Sequence, residues 1–491
     1  MTDSHPPQAA KPSRARGLMI AGIVIFGALG VFLQLRLAAR RDAAEHAAQN
    51  RPEARAMAAM QDADRATIDG DHRAAWTALQ AAAAALDEAL AERPDAPDVL
   101  RGRLVVTRRL ARLAAEPAID ASARPLLEDA VERAAALFTR DTTSEVARVD
   151  RLGTARELAT HLAATGAPAE AAAVARAAAT AIEASAEVVP PGERVRAALG
   201  ELWLDAARAH AAAGEAEPAL AAARAAIAHA EAGRGGDEDP IAVAARAYNT
   251  AAAAVELAEE LEDPTAAEAF ERDAVRLLEA RRRMQPDDLA VGRSLAARRV
   301  RLAEHAQAAG RLDDALALHQ QALELRRALV AAQPADQDAR RDLVRGLNQL
   351  GAFYSERDRD SDALAAYAEA ATIGEGLDAA GLRTRIVAMG NHAQLLGRLD
   401  RTREARDVAA QAHALASERA DAHPEDEEAT LDAARAGLRY ARLLRAPPGA
   451  DRARARTVAR AARDRLDRIA TPGERGAGID DALDALLAEL R

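Results

Sequence analysis

The chain has 491 residues and no cysteine; 49% of its residues are hydrophobic but only 2% are aromatic. That composition excludes a β-sandwich or a compact catalytic core, which need rings and β-branched side chains, and it favours helices, where alanine loses no side-chain entropy. Without thiols there are no disulfides, iron–sulfur clusters, Cys-ligated zinc sites or thiol nucleophiles. The net charge of −11, from 66 Lys+Arg against 77 Asp+Glu, gives no global attraction for nucleic acid.

Residues 1–16 read as a basic, cytoplasmic tail containing Lys11, Arg14 and Arg16. Residues 17–33 are an uninterrupted uncharged run, which Leu35 and Leu37 extend past Gln34. About 17–20 such residues span a hydrocarbon core as helix, so 17–37 is expected to be a transmembrane anchor helix. A cleaved signal peptide also begins with basic residues, but this run is long for one, and the following QLRLAARRD is basic and lacks a small-x-small site. Arg36, Arg40 and Arg41 balance the basic residues of the tail, so charge leaves the orientation open. The shortness of the tail favours a single-pass cell-membrane protein with its bulk on the extracytoplasmic side. Residues 38–61 read as a helical linker.

From 62 to 444, apolar-periodic helices alternate with short turns carrying Gly, Pro, Asp or Asn. Leu350, Gly351 and Tyr354 in one helix, a polar turn at 358–360, and Ala363, Tyr367 and Ala370 in the next form a unit. Its counterpart 48 residues earlier is Leu302, Ala303, Ala306, Gly310, Ala315, His319 and Ala322. The register steps back through Ala254, Ala207, Ala159 and Ala111 to make six units. A further match, at Met389, Gly390, Ala393 and Gly397, arrives after only 39 residues. The small residues let paired helices approach closely, while Leu, Tyr and Phe fill the space between one hairpin and the next. Residues 445–491 are expected to form C-terminal capping helices.

The spacing Leu350, Gly351, Tyr354, Ala363, Tyr367, Ala370 resembles the tetratricopeptide repeat, most closely over 296–371. That repeat is about 34 residues long, so roughly 14 residues per unit are extra here, expected in a longer second helix such as 313–332. The long form is similar to repeats of large bacterial tetratricopeptide proteins and of regions fused to bacterial membrane serine/threonine kinases. The resemblance implies an all-α, right-handed α-solenoid of antiparallel helix hairpins that binds proteins or peptides on its concave face, and it implies no chemistry.

Motifs for chemistry are missing. There is no phosphate-binding Gly-rich loop with Lys-Ser/Thr and neither an HRD nor a DFG run; the GRGG at 233–236 follows no strand pattern. The 11 histidines form no HExxH, and His210, His229, His305, His319 and His392 fall in different helices. The pairs Asp287–Asp288 and Asp313–Asp314 stand where helix starts need caps, and the three arginines at 281–283 end a helix. No catalytic residue, metal, cofactor, small-molecule substrate or nucleic-acid partner is therefore expected. What remains is a surface. The first helix of each hairpin would line the inner face, and its inward side chains would include Arg208, Tyr248, Glu259, Glu304, Gln307, Arg345, Asn348, Ser355, Asn391 and Gln394. Asn348 and Asn391 can each offer a donor and an acceptor to an extended peptide. The expected function is a membrane-anchored scaffold for protein or peptide partners; the alternative, carried by the resemblance alone, is a regulatory or sensor subunit acting with a membrane serine/threonine kinase.

Overall fold

A computed structural model describes residues 51–232, 239–447, 449–468 and 473–491. The chain divides into two compact units, parting between Gly233 and Arg234. The first contains α1 (Pro52–Ile68), α2 (His72–Glu92), α3 (Pro97–Leu113), α4 (Ala123–Arg140), α5 (Glu145–Ala164), α6 (Pro168–Ser185), α7 (Glu193–Ala212) and α8 (Ala216–Glu231). The second contains α9 (Pro240–Glu260), α10 (Pro264–Met284), α11 (Leu289–Ala308), α12 (Leu312–Ala332), α13 (Gln337–Ser355), α14 (Asp360–Ile373), α15 (Ala379–Arg398), α16 (Thr402–Ala422), α17 (Glu427–Arg445), α18 (Arg452–Leu466) and α19 (Gly473–Glu489). Within each unit successive helices pair as antiparallel hairpins, and each hairpin packs on the next. This is an all-α repeat of helix hairpins, in which every unit buries its apolar face on a neighbour.

Local chemistry sets the helix ends. The side chains of Asp71, Asp263, Asp288, Asp336, Asp378 and Asp426 accept backbone N–H groups in the first turn of the following helix. The turn inside the hairpins is left-handed at Gly70, Gly166, Gly214, Glu262, Gly310 and Asp358, all with positive φ. From Gly166 to Asp358 each step is 48 residues, and Gly70 lies two steps before Gly166. The period read from side-chain size is therefore also a period of backbone conformation. Its extra length is shared by both helices, correcting the expectation of a longer second helix alone: α11 has 20 residues and α12 has 21.

Alanine dominates the buried positions, including Ala171, Ala172, Ala175 and Ala179 on α6 and Ala219, Ala222, Ala223 and Ala226 on α8. Small side chains bring the helices together. Where a ring is used, glycine makes the space: a β-carbon at Gly351 would stand 2.7 Å from Cε1 of Tyr367.

Arginine–carboxylate pairs stitch neighbouring hairpins through their first helices. Arg101 reaches Asp150 at 3.1 Å, Arg108 reaches Glu157 at 2.8 Å, Arg156 reaches Asp205 at 2.7 Å and Arg383 reaches Asp432 at 2.9 Å. In each pair the partners are 49 residues apart. Lys11 is the only lysine of the chain, so every later cation of this kind is a guanidinium, whose planar fork can hold a carboxylate with two hydrogen bonds. Arg108 does so through Nε and Nη2. Burial works against the Glu157 carboxylate, yet Arg108 and Arg112 outweigh it and hold its pKa below the ordinary value.

The expected transmembrane anchor is corrected. Among the described residues no helix is long and apolar enough to cross a membrane, and 17–37 lies outside the described residues. The physical reason is plain in the helices themselves: each turn carries charge, as Arg293, Arg298, Arg301 and Glu304 do on α11. The fold is a helix-hairpin repeat without a transmembrane helix among the described residues. The single-pass anchor, the membrane as partner, the cell-membrane location and the subunit beside a membrane kinase drop out with it.

Candidate functional site

The face formed by the first helices differs from one hairpin to the next in how much of its polar capacity is already used. In the first unit α3, α5 and α7 are joined by the arginine–carboxylate pairs above, and Arg156 also engages Glu201. Arg208 is exposed on α7 and leans toward Asp205 at 3.5 Å. In the second unit Tyr248 on α9 accepts a hydrogen bond from Arg298 Nε at 3.4 Å and lies under its guanidinium, while Glu259 pairs with Arg301. Most charged groups on these surfaces are held by the protein itself.

Between α13 and α15 the pattern changes from ion pairs to amides. Asn391 Nδ2 donates to Asn348 Oδ1 at 3.0 Å. That bond leaves the Asn348 amide nitrogen with donors and the Asn391 oxygen as an acceptor, a pairing complementary to one peptide group. Two turns along, Arg398 Nη2 donates to Ser355 Oγ and to Asp360 Oδ1, both at 3.0 Å. Beside them opens a pocket of about 200 Å³ whose walls include Ser355, Glu356, Tyr367, Asn391, Gln394 and Arg398. Tyr367 comes from α14 and reaches this space because Gly351 lets its ring lie against α13. Burial pushes its phenol pKa up to about 12; Arg398 and Arg439 pull the other way, and Glu356 adds to the rise. Tyr367 is therefore a neutral hydroxyl that can donate.

Four of the ten residues expected on the inner face, Asn348, Ser355, Asn391 and Gln394, thus meet on this seam, and Arg345 is exposed on α13 one turn before Asn348, 3.3 Å from Asp342. Glu304 is exposed and Gln307 half-buried on α11, away from the pocket lining. Arg208 lies in the other unit, and Tyr248 and Glu259 are taken up by arginines. Tyr367, read in the sequence only as a packing position, and Arg398 were missed as site residues. A signal for Arg398 existed: it lies 43 residues after Ser355, the separation of Asn348 from Asn391.

Among the described residues no three His, Asp or Glu side chains are grouped to hold a metal ion, and the polar groups of the seam form no nucleophile–base pair. The arrangement can bind and orient a ligand.

No protein-family model matches the sequence, and no curated protein matches it. Among solved structures the chain is similar to BtubC (BKLC) from P. vanneervenii, at 17% identity over 51% of this chain and 91% of that one, with a TM-score of 0.33. It is similar to the S. pombe nuclear import adaptor Nro1 at 12% identity over 59% and 99%, with a TM-score of 0.34. Yeast Tom70 matches at 14% identity over 88% and 96%, with a TM-score of 0.28. At these TM-scores the likeness carries no argument about ligand or partner, and the hairpin repeat stands on the chain's own helix packing.

Proposed function

We propose that this chain is a non-catalytic scaffold that binds an extended segment of a partner protein along the α13–α15 seam, and that its hairpins are a long-unit variant of the tetratricopeptide repeat. The observation that carries the reading is the Asn348–Asn391 amide pair at 3.0 Å beside the Tyr367 pocket. Where other first helices spend their polar groups on arginine–carboxylate pairs, this seam keeps amide donors and acceptors that a polypeptide backbone can satisfy. Affinity would come from several such contacts and one side chain seated in the pocket.

The test is site-specific photocrosslinking in cells, with the crosslinking residue at Gln394 on the seam or at Gln321, exposed on the second helix α12. A protein adduct formed from position 394, absent from 321 and lost on introducing Asn348→Ala and Asn391→Ala, supports the reading. Equal adducts from both positions, or adducts indifferent to the two asparagines, would refute it.

A further inference from the structure

Two arginines flank the α13–α15 seam without a counter-ion. Arg326 of α12 is 8% exposed and lies against Gly346 of α13, where a β-carbon would have no room. Arg439 of α17 is half-buried against Gly390 of α15 in the same way. Among the described residues neither makes a hydrogen bond or an ion pair. Burial works against both charges; Arg345 repels the first and Arg435 the second, and Asp342 offers the first only a more distant attraction. The first-helix arginines discussed above are matched to carboxylates; these two are matched to glycines.

The acids nearby are already committed. Asp342 stands 3.3 Å from Arg345, Asp360 3.0 Å from Arg398, and Glu356 3.4 Å from Arg357. Asp432 is shared by Arg383, Arg419 and Arg435. After this pairing the residual charge flanking the seam is positive. An uncompensated buried cation is unfavourable by several kcal/mol unless an anion approaches, and glycine at both 346 and 390 keeps the guanidinium groups close to the helices whose asparagines face the ligand. The hydrogen-bonding groups of the pocket fit the same sign, since the Tyr367 hydroxyl and the Gln394 amide can donate to an oxygen.

We infer that the seam selects an acidic segment: the partner stretch bound between α13 and α15 carries Asp or Glu side chains whose carboxylates offset Arg326 and Arg439 and accept hydrogen bonds in the Tyr367 pocket. This rests on the reading of the seam as a polypeptide site. A basic or neutral segment would leave the two guanidinium groups uncompensated.

The experiment measures binding of a positional-scanning library of 12-residue peptides to the full chain. The library is N-acetylated and C-amidated, and a second arm with free C-termini separates side-chain carboxylates from a chain end. The wild-type protein is expected to prefer Asp or Glu over Asn or Gln by about tenfold at one or two positions, in the amidated arm. In Arg326→Met/Arg439→Met that preference should fall below about twofold while the melting temperature stays level or rises, because an apolar side chain replaces a desolvated charge. Should the double variant fold poorly, salt titration of the wild type serves instead: NaCl must weaken an acidic peptide more than its amide counterpart. Peptides that need Asn348 and Asn391 but show no acidic position, a basic one, or acid selectivity only at a free C-terminus overturn the inference and leave the seam as a site. Acid selectivity that survives in the double variant also overturns it. Peptides indifferent to Asn348→Ala/Asn391→Ala sink the seam reading itself.

Discussion

Glu271 of α10 and Arg298 of α11 form a 3.0 Å ion pair in which the carboxylate is fully buried and the guanidinium nearly so. Arg301 stands 3.9 Å from the same carboxylate, and Arg298 also lies over the Tyr248 ring. Burial pushes the Glu271 pKa above its ordinary value even against the pull of Arg298 and Arg301, so the network ties three helices together at an electrostatic expense. Removing only one partner leaves the other stranded. Glu271→Ala should therefore destabilise the protein by about 3–5 kcal/mol, whereas Glu271→Leu/Arg298→Met should recover most of that loss. Denaturant unfolding of the two singles and the double measures this; equal losses in single and double variants would exclude the coupling.

His319 should make the second unit acid-sensitive. It is 8% exposed between Arg326 and Arg357, with the Phe353 ring 5.4 Å away. Burial, then the two arginines, lowers its pKa from 6.5 to about 4. A pKa depressed by folding means that its contribution is present above pH 6.5 and is lost as pH falls from 6.5 through about 4, amounting to on the order of 2 kcal/mol. His319→Phe should flatten the decline of melting temperature across that window, and an unchanged slope would count against a buried neutral imidazole.

Glu262 occupies the left-handed turn position that Gly166, Gly214 and Gly310 hold in other hairpins, with φ of 53°. A β-carbon there is strained, so Glu262→Gly should raise stability by about 0.5–1 kcal/mol despite the added freedom of the unfolded chain. A thermal melt reads it directly, and a lower midpoint would show that the side chain contributes more than the strain costs.

Gly351→Ala puts a β-carbon 2.7 Å from the Tyr367 ring, closer than packed atoms allow. The ring must move toward the pocket, at a cost of about 1–3 kcal/mol, and any peptide that binds the seam should bind the variant more weakly. Unaltered stability and affinity together would mean the ring has free space that the structure does not give it.

The hairpin register was legible because it depends on local size rules: a small residue beside Leu350, Leu302 or Leu158, and a turn that must reverse the chain. It slipped after Tyr354, where the sequence match steps 39 residues to Met389 but the Asn348–Asn391 hydrogen bond sets a 43-residue step. That is about one helical turn of error. Its source is α14, only 14 residues long, in a sequence where alanine and glycine fit almost any template. Asn348, Ser355, Asn391 and Gln394 could be found together because one stripe of a first helix places them. Tyr248 and Glu259 could not be seen to be occupied, since their arginines lie 50 and 42 residues away. The 49-residue recurrence of arginine and carboxylate was in the sequence throughout and marks which first helices face each other.

The most direct measurement is the affinity of a library-selected peptide for the wild type and for Asn348→Ala/Asn391→Ala, with melting temperature recorded alongside. Loss of two neutral hydrogen bonds, each about 1 kcal/mol, predicts a loss of roughly tenfold or more at an unchanged melting temperature. Equal affinity for both proteins would contradict a polypeptide site on the α13–α15 seam.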